Sequence, residues 1–174
     1  MALLMSYACK NKTFLEISSS LKYSFKSLSG NFYTFINKHK LVQNKDHCIA
    51  GKTGYTELAK RTLVSYFSKK NINIVVVTFN CGNDWNVHEQ LFENSLSNYK
   101  KVTFLNKGIL DYDYIECDVT LIIYEDISYL IKDEDKVICE IEILEKVNNE
   151  NIIGIVKIYL NKKIVKETFI YRYY

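Results

Sequence analysis

The sequence predicts an α+β chain: an antiparallel sheet with helices over residues 1–98, followed by a small all-β domain over residues 99–174. Three observations point there. Residues 1–98 hold 12 Lys+Arg against 6 Asp+Glu and residues 99–174 hold 11 against 14, so the formal charge passes from +6 to −3 between the two parts. Residues 61–68 and 72–79 are two apolar, β-branched runs separated by Lys69-Lys70-Asn71, which is hairpin spacing. Beyond residue 98 the apolar positions shift from helical spacing to period two.

In chain order, residues 1–11 place Leu4, Tyr7 and Ala8 at helical spacing and read as the tail of a helix without its own N-cap, as if cut from a longer one. Residues 14–25 and 32–36 read as short strand-like or mixed segments about a Ser29-Gly30-Asn31 turn. The 61–79 hairpin comes next. Over residues 84–96, Trp85, Leu91, Phe92 and Leu96 form the apolar side of an amphipathic helix, with Asn83 or Asp84 as its cap. Segments around 102–105, 119–124, 137–144, 152–160 and 164–171 then alternate or run apolar between Asn, Asp, Lys and Gly turns, which predicts about five strands.

Composition narrows the function classes. With 48% hydrophobic and 25% charged residues, 174 residues suffice for a buried core. The longest apolar runs, at 72–79 and 119–124, are strand-sized and fall short of the roughly 18 residues of a membrane span, so no transmembrane segment is expected. The first residues have no basic leader and are interrupted by Ser6, Tyr7, Lys10 and Lys12, so no signal peptide is expected within the chain. Cys9, Cys48, Cys81, Cys117 and Cys139 are odd in number and lack a C-x-x-C pair, which argues against a disulfide framework and a zinc site. They read as small, partly buried hydrophobes, and neither metal nor cofactor is expected. The consecutive Asp133, Glu134 and Asp135 suit a turn tip better than a cation site. Arg61 is the only guanidinium in the basic part, with no interleaved aromatic and arginine pattern, so nucleic acid is not an expected partner.

The most specific signal is Gly51-Lys52-Thr53-Gly54-Tyr55-Thr56, just ahead of the hairpin. A lysine and a threonine at the end of a strand can present an ammonium and a hydroxyl to an anionic ligand, and a neighbouring glycine lets that ligand approach the backbone. Composition alone gives ~0.04 Lys-Thr-Gly triplets, and one is present. The plain alternative is a solvated strand end before a turn.

Around this motif the chain resembles the second half of the serine D-alanyl-D-alanine carboxypeptidases, the low-molecular-mass penicillin-binding proteins. Met1-Ala2-Leu3-Leu4 and Tyr7-Ala8 resemble the helix after the family's Ser-x-Asn motif. Asn37-Lys38-His39-Lys40-Leu41 resembles the Asn-rich segment before its third motif, and residues 48–56 resemble that motif itself. Asn83-Asp84-Trp85-Asn86, His88 and Leu91-Phe92 resemble the following helix, and the β-rich remainder resembles the accessory domain. The resemblance implies a partial β-lactamase/transpeptidase-like domain over 1–98. It gives Lys52 and Thr53 the substrate's terminal carboxylate, Gly54 the room for substrate to lie along the strand, and the backbone N–H of Tyr55 one of two oxyanion-hole positions. The substrate would be a peptidoglycan D-Ala-D-Ala stem peptide or a β-lactam, and the location extracytoplasmic, in the cell envelope. Without an export signal, a chain made alone would stay in the cytoplasm.

Two expected parts have no convincing match. The family's nucleophile is the serine of Ser-x-x-Lys, opening a buried helix, and Ser-x-Asn assists it. Ser19-Ser20-Leu21-Lys22 and Ser97-Asn98-Tyr99-Lys100 fit the first string and Ser29-Gly30-Asn31 the second, but composition predicts ~1.4 and ~1.1 such strings by chance. Ser19 also lies only 33 residues before Lys52, in a segment read as strand or turn. The chain therefore reads as a fragment of a carboxypeptidase, inactive alone. The competing reading is a non-catalytic interaction or scaffold module of the envelope. His39 and His47 read as solvated loop residues, His88 as capping or pairing with Asp84 or Glu89, and Trp85 as core. The family often has an arginine near the start of the helix after the motif, where this sequence has Asp84 and Trp85, which leaves the accessory anion contact without an owner.

Overall fold

The computed structural model describes residues 1–44, 47–110, 119–144 and 151–173. It divides into two compact units, Met1–Ser97 and Asn98–Tyr174.

The first unit is built on strands β3 (Cys48–Thr56), β4 (Lys60–Lys69) and β5 (Ile72–Phe79), antiparallel in the order β3-β4-β5. Lys69 pairs with Ile72, and Lys70 and Asn71 between them both have positive φ (52° and 60°), the two-residue turn whose twist matches that of its strands. Helices α1 (Ala2–Ala8) and α2 (Lys12–Ser19) precede a separate ribbon of β1 (Lys22–Lys26) and β2 (Phe32–Ile36). Helix α3 (Lys40–Asn44) leads toward β3, and α4 (Asp84–Asn98) follows β5.

Alternation along the strands makes two apolar layers. On one face Ala50, Val64, Tyr66, Val75 and Val77 pack with Met5 and Cys9 of α1 and Leu15 of α2. On the other, Cys48, Phe67, Ile74 and Val76 pack with Leu41 and Val42 of α3 and with Phe92 and Leu96 of α4. Phe67 and Phe92 stack with centroids 4.5 Å apart and planes at 12°. The sheet is thus covered on both faces by helix.

The segment 14–25 corrects its strand-like reading: it is helical to Ser19 and extended only from Lys22. Asn11 is the reason, because its Oδ1 accepts from Phe14 N–H at 3.0 Å and caps α2, while Ser18, Ser19 and Ser20 turn their hydroxyls back onto carbonyls of the same helix. Helix α1 has no side-chain cap, as its sequence indicated.

The second unit holds seven strands among the described residues, two more than the alternation suggested. A five-stranded sheet runs β10 (Val137–Ile143), β11 (Ile152–Leu160), β12 (Lys163–Arg172), β8 (Leu121–Ile123), β7 (Gly108–Leu110), and a two-stranded ribbon joins β6 (Lys100–Leu105) to β9 (Ile127–Ile131). The additional strands are β7, only three residues long, and β9, whose Ile-Ser-Tyr-Leu-Ile does not alternate strictly between apolar and polar. Leu105, Leu121, Ile123, Ile127, Val156, Ile158 and Ile170 make one core from both sheets. Asp135 accepts from Lys132 N–H at 2.8 Å and from Asn161 Nδ2 at 2.8 Å, so the acidic run is a turn tip as anticipated.

Candidate functional site

The Lys52-Thr53-Gly54 motif lies inside β3, which is an edge strand of its sheet, rather than at a strand's extreme end. Register places Lys52 opposite Val64, Thr53 opposite Leu63, Gly54 opposite Thr62 and Tyr55 opposite Arg61. These residues border a groove of about 510 Å³ lined by Lys38, Lys52, Thr53, Gly54, Tyr55, Arg61, Thr62, Asp84 and Trp85. Lys52 is exposed and its Nζ donates to the Thr53 carbonyl. A Cβ on Gly54 would lie 2.5 Å from Thr62 Oγ1, so a larger residue here would make the Thr62 side chain turn away, and glycine also leaves room for any ligand along β3.

Arg61 is the residue the sequence reading passed over. Its Nε donates to Asp84 Oδ2 at 3.1 Å, and its Nη2 lies 2.8 Å from Oδ1 and 2.9 Å from Oδ2. Asp84 is 2% exposed and its Oδ1 also accepts from Trp85 N–H at 3.0 Å, whereas half the Arg61 side chain faces solvent. The hydrogen bonds and charge of Asp84 raise the guanidinium's already high pKa. A guanidinium is therefore present beside the helix start after all, delivered from β4 and held by a carboxylate on α4. What could have revealed it is Arg61's place opposite Tyr55, once the turn after Thr56 is fixed. With Asp84 matched by Arg61, Lys38 and Lys52 leave the groove net cationic, and its chemistry is that of an anion-binding cleft.

Beneath the groove lies a buried polar chain that corrects the three histidine readings in part. His39 is 1% exposed and His88 fully buried, so neither is a solvated or local capping residue. Val42 N–H donates to His39 Nδ1 at 3.3 Å, so the ring proton is on Nε2, 3.1 Å from both the Val64 carbonyl and Ser65 Oγ. Ser65 Oγ–H then donates to His88 Nδ1 at 2.7 Å, and His88 Nε2–H to Thr78 Oγ1 at 3.0 Å. Both rings' N–H groups and the Ser65 hydroxyl have acceptors when the rings are neutral. Burial lowers the pKa of His39 and, together with the neighbouring His39 ring, pushes that of His88 down to about 4. Period-3.6 reading of α4 could have placed His88 toward the sheet, but only tertiary structure brings His39 to it. His47 is half-buried, its ring 5.9 Å from that of Phe92. Trp85 serves two purposes, packing against the α4 side core while its face also borders the groove.

The serines of the literal strings lie elsewhere. Ser19 closes α2 instead of opening a helix and donates to the Glu16 carbonyl at 3.2 Å. Ser29 and Asn31 bond to one another and to Ser27 in the β1–β2 turn. Ser97 ends α4, donating to carbonyls of Glu93 and Asn94. Among the cysteines, Cys9 and Cys48 are buried, Cys81 is half-buried and Cys139 is exposed, all four as free thiols, and burial pushes the Cys48 thiol up to about 12. Cys117 lies outside the described residues.

The edge strand with its Lys-Thr-Gly, the helix packed behind it and the β unit are like part of the fold of penicillin-binding proteins and D-alanyl-D-alanine carboxypeptidases of known structure. The chain is similar to penicillin binding protein 5 from Haemophilus influenzae at 17% identity and a TM-score of 0.67, over 98% of this chain and 54% of that one. It is similar to a peptidoglycan synthesis regulatory factor from Streptococcus pneumoniae at 13% identity and 0.65, over 98% and 53%, and to the D-alanyl-D-alanine carboxypeptidase of Francisella tularensis at 18% and 0.52, over 82% and 39%. The chain thus spans about half the length, or less, of the solved structures it matches. No family model and no curated protein matches it.

Proposed function

We propose that residues 48–62 form the carboxylate-gripping wall of a D-alanyl-D-alanine carboxypeptidase site, with the attacking serine contributed by polypeptide other than Ser19, Ser29 or Ser97. One observation carries this reading: an exposed lysine and its neighbouring threonine on an open edge strand border a cationic groove in a fold shared with those enzymes. In it, Lys52 Nζ and Thr53 Oγ1 hold the ligand's terminal carboxylate, and Gly54 leaves the edge of β3 open for the peptide to lie along. The Tyr55 N–H receives the oxyanion formed when a serine oxygen adds to the D-Ala-D-Ala carbonyl. The terminal D-alanine then leaves as the acyl-serine forms, and water hydrolyses that ester. The envelope, where peptidoglycan is found, is the site of action on this reading. No helix among the described residues is long and apolar enough to cross a membrane.

The test is equilibrium binding of N-acetyl-D-alanyl-D-alanine against its C-terminal amide. The acid should bind at least about tenfold more tightly, a difference of about 1.4 kcal/mol, and Lys52→Ala and Thr53→Val should each erase the preference. Equal affinity for acid and amide would sink the reading. Labelled penicillin should leave no covalent adduct on this chain alone, and stoichiometric labelling at Ser19 would reassign the nucleophile.

A further inference from the structure

We propose that His39 is the positioning residue of the Lys52–Thr53 groove, that it acts through Gly51, and that it does so only as a neutral imidazole wired through Ser65 to His88. The groove's role rests on the reading above; the state of His39 does not.

Three contacts converge on this ring. A Cβ on Gly51 would lie 2.2 Å from His39 Nε2, 2.4 Å from its Cδ2 and 2.7 Å from the Val64 carbonyl, so the ring is seated directly against the β3 backbone one residue before Lys52. Its Nε2–H is held 3.1 Å from the carbonyl of Val64, the register partner of Lys52. It meets Trp85, a groove-lining residue, in a T-shaped contact with centroids 5.1 Å apart and planes at 79°. Position is set from the other side by Asn37, whose Oδ1 accepts from His39 N–H at 2.9 Å while its Nδ2 donates to the Ser18 and Ser20 carbonyls. The ring therefore joins β3, β4, α4 and the turn after β2 at the point where β3 leaves its irregularity between Cys48 and Ala50.

The direction of the chain makes it intolerant of a proton. Protonating His39 at Nδ1 sets that N–H against Val42 N–H, two donors facing each other. Protonating His88 at Nδ1 makes that nitrogen a donor toward Ser65 Oγ and ends the Ser65-to-His88 hydrogen bond, so the hydroxyl must redirect its proton. Protonation of His39 thus acts directly on the ring that backs Gly51, and protonation of His88 acts on it through Ser65. The charged and titratable groups around it are Asp84 and Glu89 on α4, Lys52 and the Cys48 thiol on β3, Arg61 on β4, and the exposed Lys38 and Lys40 beside it. Asp84 favours the imidazolium and Lys52 opposes it, and with Asp84 engaged by Arg61, burial decides in favour of the neutral ring.

The chain has a single tryptophan, so Trp85 emission reports on His39 directly. In the ¹⁵N-labelled intact chain without ligand, His39 should give the Nε2–H tautomer and titrate below the ordinary 6.5. Acidification should then change Trp85 emission together with the His39 and His88 signals. Binding of N-acetyl-D-alanyl-D-alanine should weaken over that same acid range. His39→Asn, which cannot titrate, should bind more weakly at neutral pH and lose most of that pH dependence. An Nδ1–H tautomer, or a His39 imidazolium with unchanged Trp85 emission, would overturn the proposal, and both readouts use the unaltered chain should the variant not fold. If the dipeptide fails to bind at any pH, the carboxypeptidase reading falls while tautomer and emission still decide the role of His39.

Discussion

At the scale of single residues, the two features that shape the groove come from side chains whose importance depends on partners far along the chain. Arg61 and Asp84 are 23 residues apart, as are Ser65 and His88, and Ser65 and His39 are 26 apart. No periodicity links such positions, which explains why Lys52, Thr53 and Gly54 stand out in the sequence while Arg61, His39 and His88 do not. The histidine chain also makes stability depend on pH with a definite sign. Folded His88 holds its pKa at about 4, below the ordinary 6.5, so on acidification the unfolded chain takes up the proton first. Stability therefore falls as pH drops from 6.5 and the loss levels off near 4, amounting to roughly 3 kcal/mol from this one ring. His39, lowered by the same burial, adds in the same direction. Urea unfolding midpoints measured across that range should decline steadily, and His88→Gln should flatten the slope; a midpoint independent of pH there would contradict the buried, neutral assignment.

At the scale of elements, the sequence was most legible where one period ran long enough to be counted. The β4–β5 hairpin and α4 are read directly, because Lys70-Asn71 supplies the turn and the apolar residues of α4 recur at helical spacing. Helix α2 escapes because it is only eight residues long and its last two residues, Ser18 and Ser19, run on into the C-cap Ser20 as a serine triplet that reads as a turn. What sustains it is the Asn11 cap. Asn11→Ala should then cost about 1 kcal/mol of stability, with the loss of helical signal confined to residues near 12–19, whereas Asn11→Asp should be nearly neutral. Urea melts with amide-resolved NMR distinguish the two. The strands β7 and β9 are equally hard to read, since β7 has only three residues and the five of β9, Ile-Ser-Tyr-Leu-Ile, do not alternate strictly between apolar and polar.

Over the whole molecule, burial is distributed unevenly, and that sets where the chain should open first. In the first unit β4 and β5 carry Leu63, Val64, Phe67, Ile72 and Val76, all buried and covered by helix on both faces. By contrast, β1 and β2 bury nothing: Tyr23, Phe25, Tyr33 and Phe35 share one exposed face, with Phe25 stacked on Tyr33 at 5.4 Å and on Phe35 at 6.0 Å. A two-stranded ribbon with both faces open is marginal in water, and the entropy of ordering it is offset there by ring stacking, ladder bonds and exposed contacts such as Ser24–Thr34 and Lys26 over Phe32. The exposed Leu3, Leu4 and Tyr7 leave α1 attached mainly through Met5 and Cys9. The second unit is different, since its core draws on both of its sheets and β11 is paired on both sides from Gly154 to Leu160. Hydrogen exchange on the intact chain should therefore give a ranked pattern: slow amides in β4, β5, β11 and β12, and exchange faster by about two orders of magnitude, equivalent to roughly 3 kcal/mol, in β1 and β2. Protection of the β1–β2 ribbon equal to that of β4 would mean that its aromatic face is covered in solution, and addition of N-acetyl-D-alanyl-D-alanine should slow β3 without altering β1 or β2.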